Sequence, residues 1–233
     1  MLPVPFFYIS SFDKDHREMD LDEDTSRHIV QVLRMGAGET LQLTDGKGTL
    51  LTATITAAHK KKCHVSVETV TLLPPPERQV SIAISPLKNA SRFEWFLEKA
   101  TEIGVTGIIP LMSARTERQH LRQDRLRNIL VSALLQSQQV WLPILRPPTP
   151  FAQLLDEPGF DRRLIAWLGD PQTAVYPRPD TRSTLILIGP EGDFAPEEAA
   201  TALARQYIPV SLGKNRLRTE TAGVVAATLL CIG

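Results

Sequence analysis

Two loops in the C-terminal half carry the residue types best suited to hold a ligand. In the first, the apolar run Leu185-Ile186-Leu187-Ile188 breaks into Gly189-Pro190-Glu191-Gly192-Asp193-Phe194, and a helix is expected to open at Pro196. In the second, Ile208-Pro209-Val210-Ser211-Leu212 leads into Gly213-Lys214-Asn215-Arg216-Leu217-Arg218-Thr219, then into an apolar helix from Glu220 to Ile232. A buried strand that ends in a glycine loop at a helix N-terminus leaves backbone amides pointing outward, and open α/β sheets place their ligands there. Two such units in tandem are expected to close neighbouring strands and set their loops side by side. Without a ligand, both are ordinary turns in which Gly189 and Gly192 serve only backbone geometry. Neither fits a common nucleotide-binding pattern, since the Gly-Lys-Ser/Thr ending of a P-loop and the Gly-x-Gly-x-x-Gly of a Rossmann turn are both absent.

The elements that must position these loops alternate strand and helix. Val80 to Ile84 reads as a short strand, and Ser91-Arg92-Phe93-Glu94 reads as a capping box opening a helix with Phe93, Phe96, Leu97, Ala100 and Ile103 on one face. Gly104 closes that helix. A strand from Gly107 to Met112, a helix from Leu121 to about Gln139 and a strand from Leu164 to Leu168 follow, then the two loop units. This alternation predicts a mainly parallel sheet covered by helices on both faces. Upstream, Leu72-Leu73-Pro74-Pro75-Pro76-Glu77 is a stiff connector without backbone donors, which places a domain break there and gives domains 1–73 and 74–233. The N-terminal part is mainly β. Asp22 or Asp24 caps a short helix through Met35, Glu39 to Thr44 alternates as a strand, Asp45-Gly46-Lys47-Gly48 turns a hairpin, and Thr49 to Thr56 continues it. Cys63 to Thr71 alternates again, with Val65, Val67 and Thr69 on one face, and the whole suggests a small barrel.

Composition narrows the class. The chain has 233 residues, 42% hydrophobic and 22% charged, with zero formal net charge. Any attraction to nucleic acid must therefore come from local clustering. Such clusters exist: Lys60-Lys61-Lys62 follows His59 in a hairpin loop, and Arg115, Arg118, Arg122 and Arg125 would form one stripe if the second helix extends back that far. For the lysines a solvated loop is the default reading, and for the arginines, diluted by Glu117 and Asp124, a solvated face fits at least as well as an RNA-facing one. The two cysteines, Cys63 and Cys231, have no metal-ligand spacing and suggest a reducing compartment. No membrane span or secretory signal is legible, so the expectation is a cytoplasmic protein without a metal.

Three segments in combination resemble one family: Phe93-Glu94-Trp95-Phe96-Leu97-Glu98-Lys99-Ala100-Thr101-Glu102-Ile103-Gly104-Val105, Ile188-Gly189-Pro190-Glu191-Gly192, and Leu212-Gly213 through Leu217-Arg218-Thr219-Glu220-Thr221-Ala222. They are similar to the RsmE family of 16S rRNA methyltransferases, which modify N3 of uridine 1498, within the SPOUT superfamily. His28-Ile29 with Val32-Leu33-Arg34, followed by a glycine and an Asp-Gly turn, resembles that family's N-terminal domain. The resemblance covers essentially the whole chain. It implies an α/β fold with a SPOUT-type trefoil-knotted, mainly parallel sheet, preceded by a PUA-like RNA-binding β-barrel; nothing in periodicity would reveal a knot. It also implies S-adenosylmethionine as cofactor, 16S rRNA or the small ribosomal subunit as partner, and a homodimer.

Carried over by position, the cofactor pocket would comprise Leu168 and the loop after it, Gly189, Pro190, Glu191 and Gly192, then Ser211, Leu212, Gly213, Leu217 and Arg218. Family members commonly carry Glu-Gln and then arginines before a Val-Pro. Here Leu135-Gln136-Ser137-Gln138-Gln139-Val140-Trp141-Leu142-Pro143 has Gln139 and Trp141 instead. That departure bears on the RNA or dimer contacts of the segment, not on the cofactor loops.

Methylation at uridine N3 requires loss of the N3 proton or stabilisation of the imide anion. Arg218 is expected to place positive charge near the uracil carbonyls, with Glu191 or Glu220 assisting proton removal. The alternatives are structural: Glu191 and Glu220 as caps or ligands of loop amides, and Arg218 as an ion-pair partner. Arg34, Lys60, Lys61, Lys62, Lys88, Arg92, Arg115, Arg118, Arg122, Lys214 and Arg216 are candidate phosphate contacts. The rival readings are a non-catalytic RNA-binding ribosome-assembly factor, and a methyltransferase of the same fold with another RNA target, such as a ribose 2′-hydroxyl.

Overall fold

A computed structural model of the chain describes residues 4–117, 121–167, 176–180 and 182–232. Two compact units emerge, Met1–Pro75 with Leu134–Leu142, and Pro76–Ala133 with Pro143–Gly233.

In the first unit, strands β1 (Phe6–Tyr8), β2 (Glu18–Asp20), β3 (Thr40–Thr44), β4 (Thr49–Ala57) and β5 (His64–Leu72) form one sheet in the order β1-β3-β4-β5-β2. Its pairs are antiparallel except β1 with β3. Alternation along β4 and β5 drives Leu51, Ala53, Ile55, Val65 and Val67 into a core with Ile29, Leu41 and Leu43. The expectation that Thr69 shares the face of Val65 and Val67 is corrected. A register shift between Thr52 and Ala53 pairs Ala53 with Val67 but Thr52 with Thr69, so parity changes and Val70 packs toward the core instead. One extra residue in a strand has this effect because the side-chain period is two.

The short helix is also corrected. Helix α1 (Glu23–Arg27) is capped by Asp22, whose Oδ1 accepts from the Thr25 amide at 2.9 Å, and then widens into a π turn over His28–Val32. Ile29 is fully buried there while Val32 and Leu33 stand exposed, and Arg34 ends the turn in the left-handed region with φ 57°. Residues 140–142 join the hairpin turn of β3 and β4: Gly48 donates its amide to Val140 O, Leu142 donates to Gly46 O, and Trp141 Nε1 donates to Pro74 O at 2.8 Å. A Cβ on Gly48 would collide with the Trp141 ring, and its φ is +91°. Only glycine fits a position both left-handed and covered by an indole.

In the second unit the elements are β6 (Val80–Ile84), α2 (Ala90–Ile103), β7 (Gly107–Met112), α3 (Gln123–Gln136, whose last turn counts with the first unit), β8 (Ile144–Leu145), β9 (Thr149–Pro150), α4 (Phe151–Leu155), β10 (Arg162–Ala166), β11 (Thr184–Ile188), α5 (Pro196–Ala204), β12 (Ile208–Val210) and α6 (Thr219–Cys231). The strand order is β12-β10-β11-β6-β7-β8, with β9 also on β7, and every pair is parallel. The expected mainly parallel α/β sheet is present. Its central strand β11 is buried at every residue, as a strand covered on both faces must be. Ala83, Ile109, Ile165, Leu185 and Leu187 pack on one face with Phe151, Leu154, Phe194 and Tyr207. On the other face, α6 and α2 pack together and α6 lies against β6 and β11. The chain thus leaves β12 at the edge of the sheet and returns to its middle.

Several expectations change here. Helix α2 is capped by Asn89, whose side chain accepts from the Ser91 amide at 3.0 Å; Ser91 lies inside the first turn, and Glu94 pairs with Arg125 instead of closing a capping box. Helix α3 begins only at Gln123, so Arg115 and Arg122 precede it and the expected stripe reduces to Arg125; Arg118 lies outside the described residues. The strand expected over Leu164 to Leu168 runs from Arg162 to Ala166, and Leu168 also lies outside the described residues. Finally, β11 and β12 are not neighbours. They flank β10 on its two sides.

Candidate active site

Because β10, β11 and β12 run parallel, their C-terminal ends open on the same edge. A cavity of about 580 Å³ lies there. The three strands contribute Ala166, Ile188 and Val210 at its floor, the last residue of each strand before its loop. Walls come from the loop after β11 (Gly189, Pro190, Glu191, Asp193) and from the long loop after β12 (Ser211 through Arg218). Thr219 and Ala222 add the first turn of α6.

The two loops touch, as Arg216 Nη2 reaches the Glu191 carbonyl at 3.4 Å. Asp193 adopts φ 60°, its amide donating to Pro190 O at 2.9 Å while its Oδ1 accepts from the Phe194 amide at 2.8 Å. That turn swings Phe194 inward against Phe151, with ring centroids 5.5 Å apart. A Cβ on Gly189 would sit 3.2 Å from the Phe194 ring, so glycine here serves the packing of the turn as well as the cavity. Gly213, at φ +143° with open space beside it, is the position where the second loop needs a glycine backbone. Glu198 braces the site from outside, accepting from the Ala195 amide at 3.0 Å and from the Ala114 amide at 2.8 Å.

Most sequence-predicted pocket residues converge: Gly189, Pro190, Glu191, Ser211, Leu212, Gly213, Leu217 and Arg218 all line the cavity. Gly192 does not line it among the described residues; its carbonyl accepts from Arg115 Nη1 at 2.5 Å. Arg218 occupies the cap position of α6 in extended conformation, and its exposed side chain makes no capping bond. Glu191 is exposed at the mouth. Glu220 is elsewhere: it is buried in the first turn of α6, outside the cavity lining, with Oε1 3.7 Å from Arg92 Nε and Oε2 without a hydrogen-bond partner among the described residues.

The candidate phosphate contacts separate into two groups. Lys214 and Arg216 stand exposed at the cavity, and Arg34, Lys60 and Lys61 stand exposed in the first unit. Lys62 is paired with Asp20 at 2.6 Å, and this bond, with His64 on the same carboxylate, holds Asp20 below the ordinary carboxylate range. Lys88 pairs with Glu117 at 3.3 Å, and Arg122 borders a small cleft with Arg125 and Glu94. Tyr176, in the loop after Leu168 that the resemblance placed at the pocket, lines the cavity; sequence reasoning missed Trp167, which brings aromatic surface just after β10, and also Asp193, Thr219 and Ala222. Thr219 and Ala222 were in reach of a sequence argument, because a helix N-terminus that borders a ligand contributes its first turn. Trp167 carried no such signal. Among the described residues no cluster of three or more His, Cys, Asp or Glu side chains is placed to hold a metal ion, and no helix is long and apolar enough to cross a membrane.

A parallel sheet with two loops and a helix N-terminus converging on one cavity defines the class. Family profiles described as RNA methyltransferase domain and RNA methyltransferase PUA domain match residues 74–231 and 21–68. A ribosomal RNA small subunit methyltransferase E of Synechocystis sp. is 30% identical, over 85% of this chain and 68% of its own length. A probable rRNA-methyltransferase from Porphyromonas gingivalis, 41% identical, superposes with a TM-score of 0.88 over 97% of this chain and 96% of its own. A ribosomal RNA small subunit methyltransferase E from Neisseria gonorrhoeae, bound to S-adenosyl methionine, is 28% identical with a TM-score of 0.81, over 97% of this chain and 96% of its own. The chain belongs to the ribosomal RNA small subunit methyltransferase E (RsmE) family.

Proposed function

We propose that this protein is an S-adenosylmethionine-dependent methyltransferase of small-subunit ribosomal RNA, acting on N3 of uridine 1498 in 16S rRNA. The observation that carries this reading is the single cavity closed by the glycine loops after β11 and β12 and by the first turn of α6. At about 580 Å³, it falls within the roughly 300–1,000 Å³ usual for small-molecule and cofactor sites. Its residues suit the cofactor: Ala166, Ile188, Val210, Leu212 and Leu217 offer apolar surface to a flat base, and loop backbone and acidic groups at Glu191 and Asp193 face its polar parts.

When bound, the cofactor supplies a methyl group activated by a positively charged sulfur. The chain's own residues do the rest. Arg218 holds positive charge where the uracil carbonyls gain negative charge as N3 loses its proton. Of the two carboxylates, Glu191 borders the cavity and is the group within reach of that proton, whereas Glu220 is enclosed. Lys214 and Arg216 hold the RNA backbone at the mouth, and the target base must leave its stack to enter. Arg34, Lys60 and Lys61 add phosphate contacts from the first unit.

The same reading assigns residues 1–73 to a PUA-like RNA-binding domain and 74–233 to a SPOUT domain threaded into a trefoil knot, working as a cytoplasmic homodimer. The test is twofold. Titration with S-adenosylmethionine is expected to show saturable binding, and small subunits from a strain lacking the protein are expected to gain 3-methyluridine on incubation with protein and cofactor. Binding of small subunits without methyl incorporation would favour an assembly factor, and a ribose-methylated product would favour another target.

A further inference from the structure

We infer that Arg92 and Glu220 form a positioning pair that sets the first turn of α6 against α2 and thereby aims Arg218 into the cavity. This rests on the proposed reading of that cavity. The pair sits on one seam between two helices of 14 and 13 residues. Along α2, Arg92 and Phe96 are one turn apart; along α6, Glu220 and Gly223 are one turn apart. Gly223 is closed by Phe96 and Ile84, since a Cβ there would lie 2.5 Å from the Phe96 ring and 2.9 Å from Ile84 Cδ1. That contact fixes how deep α6 sits but leaves its rotation about the contact free. The Arg92–Glu220 pair, one turn nearer the cavity, removes that freedom.

The carboxylate is strongly enclosed and the guanidinium is not, with side-chain exposures of 8% and 39%. Among the described residues Glu220 Oε2 has no hydrogen-bond partner and Arg92 is the cation that faces this buried carboxylate. A buried carboxylate next to a cavity that it does not line is badly placed as a base and well placed as an anchor. Arg218, two residues before Glu220, is carried by the same turn and lines the cavity. Arg92 is thus committed to the fold of the site rather than to a phosphate.

The asymmetry in burial gives an unusual order of effects. Arg92→Gln leaves a carboxylate enclosed without its counter-ion, whereas Glu220→Gln leaves only a partly exposed guanidinium that water can serve. Measured as methyl transfer to small subunits at saturating cofactor, Arg92→Gln is expected to lower kcat about 10- to 100-fold, with KM for the subunit and the salt dependence of RNA binding unchanged. Glu220→Gln is expected to be milder, and the double variant to match Glu220→Gln rather than to compound the two. Arg92→Lys, which keeps the charge, is expected to retain more activity than Arg92→Gln and serves if the latter fails to fold.

A shallower salt slope with kcat intact in Arg92→Gln would make Arg92 a phosphate contact and overturn the inference, as would weaker subunit binding with kcat intact in Arg92→Lys. Complete loss of turnover in Glu220→Gln, unrelieved in the double variant, would make Glu220 a reacting group and overturn it as well. Wild-type protein that binds no S-adenosylmethionine would instead remove the underlying reading of the cavity.

Discussion

Arg218 and Cys231 stand near the two ends of the same helix and behave oppositely. The Arg218 side chain is exposed, lines the cavity and takes no part in capping, so its truncation should leave the fold intact. Arg218→Ala is expected to reduce methyl transfer about 100-fold or more at saturating RNA, with an unchanged circular dichroism spectrum; unchanged turnover would remove it from the mechanism. Cys231 is half-buried, and desolvation pushes its thiol up to about 11. Burial raises Cys63 too. A raised value keeps the thiol protonated, and the thiolate is the reactive form. Neither cysteine of the folded protein should therefore be alkylated by iodoacetamide at pH 8, while both should react in denaturant; rapid labelling of the native protein would contradict the packing of α6 and of the first core.

At the level of the element, two positions separate what a helix needs from what a pattern suggests. The N-terminus of α2 is held by Asn89 and not by Ser91, because the loop after β6 brings Asn89 into extended conformation at φ −82°, ψ 107°, with its side chain over the Ser91 amide. Asn89→Ala is expected to cost about 1 kcal/mol in chemical denaturation, and Ser91→Ala to be within about 0.5 kcal/mol of neutral. Equal losses would restore the sequence-based capping box. Gly223 is the contact point of α6 with α2 and β6, and Gly223→Ala is expected to destabilise by about 1–3 kcal/mol through overpacking, the melting temperature being the readout. The gain in helix propensity from the same change, about 1 kcal/mol, is smaller than the overlap with the Phe96 ring. Stabilisation would mean that Phe96 can move aside.

For the whole molecule, the relevant quantity is charge that remains available after folding. The chain is neutral overall, and folding ties down Lys62 with Asp20 and Arg125 with Glu94. Lys60, Lys61, Lys214 and Arg216 stay exposed. Removing Lys60 and Lys61 together is expected to make the log–log salt dependence of RNA binding shallower by about 0.7–0.9 for each phosphate these lysines neutralise, whereas Lys62→Ala should leave the slope unchanged. The reverse order would assign the RNA contact to the ion-paired lysine. Cofactor binding is a whole-molecule effect as well, since a ligand bound only by the folded state at about 100 times its Kd adds about 2.7 kcal/mol. S-adenosylmethionine should therefore raise the melting temperature in a concentration-dependent way.

Local periodicity and turn chemistry, which depend on neighbours along the chain, located five strands of the parallel sheet and the two glycine loops, but not the two-residue strands β8 and β9, which are too short to show a period. The combination of those loops with the segment around Phe93 to Val105 was enough to point to the family. Tertiary structure alone decided that β10 stands between β11 and β12, that Glu220 turns away from the cavity toward Arg92, that Gly189 is closed by Phe194, and that Trp141 covers Gly48. Apart from the short reach of Phe194 back to Gly189, these are meetings of residues far apart in sequence. Spacing sets which residues share a face, but which face meets which is settled by packing, through side-chain volumes and counter-ions that only the folded chain brings together.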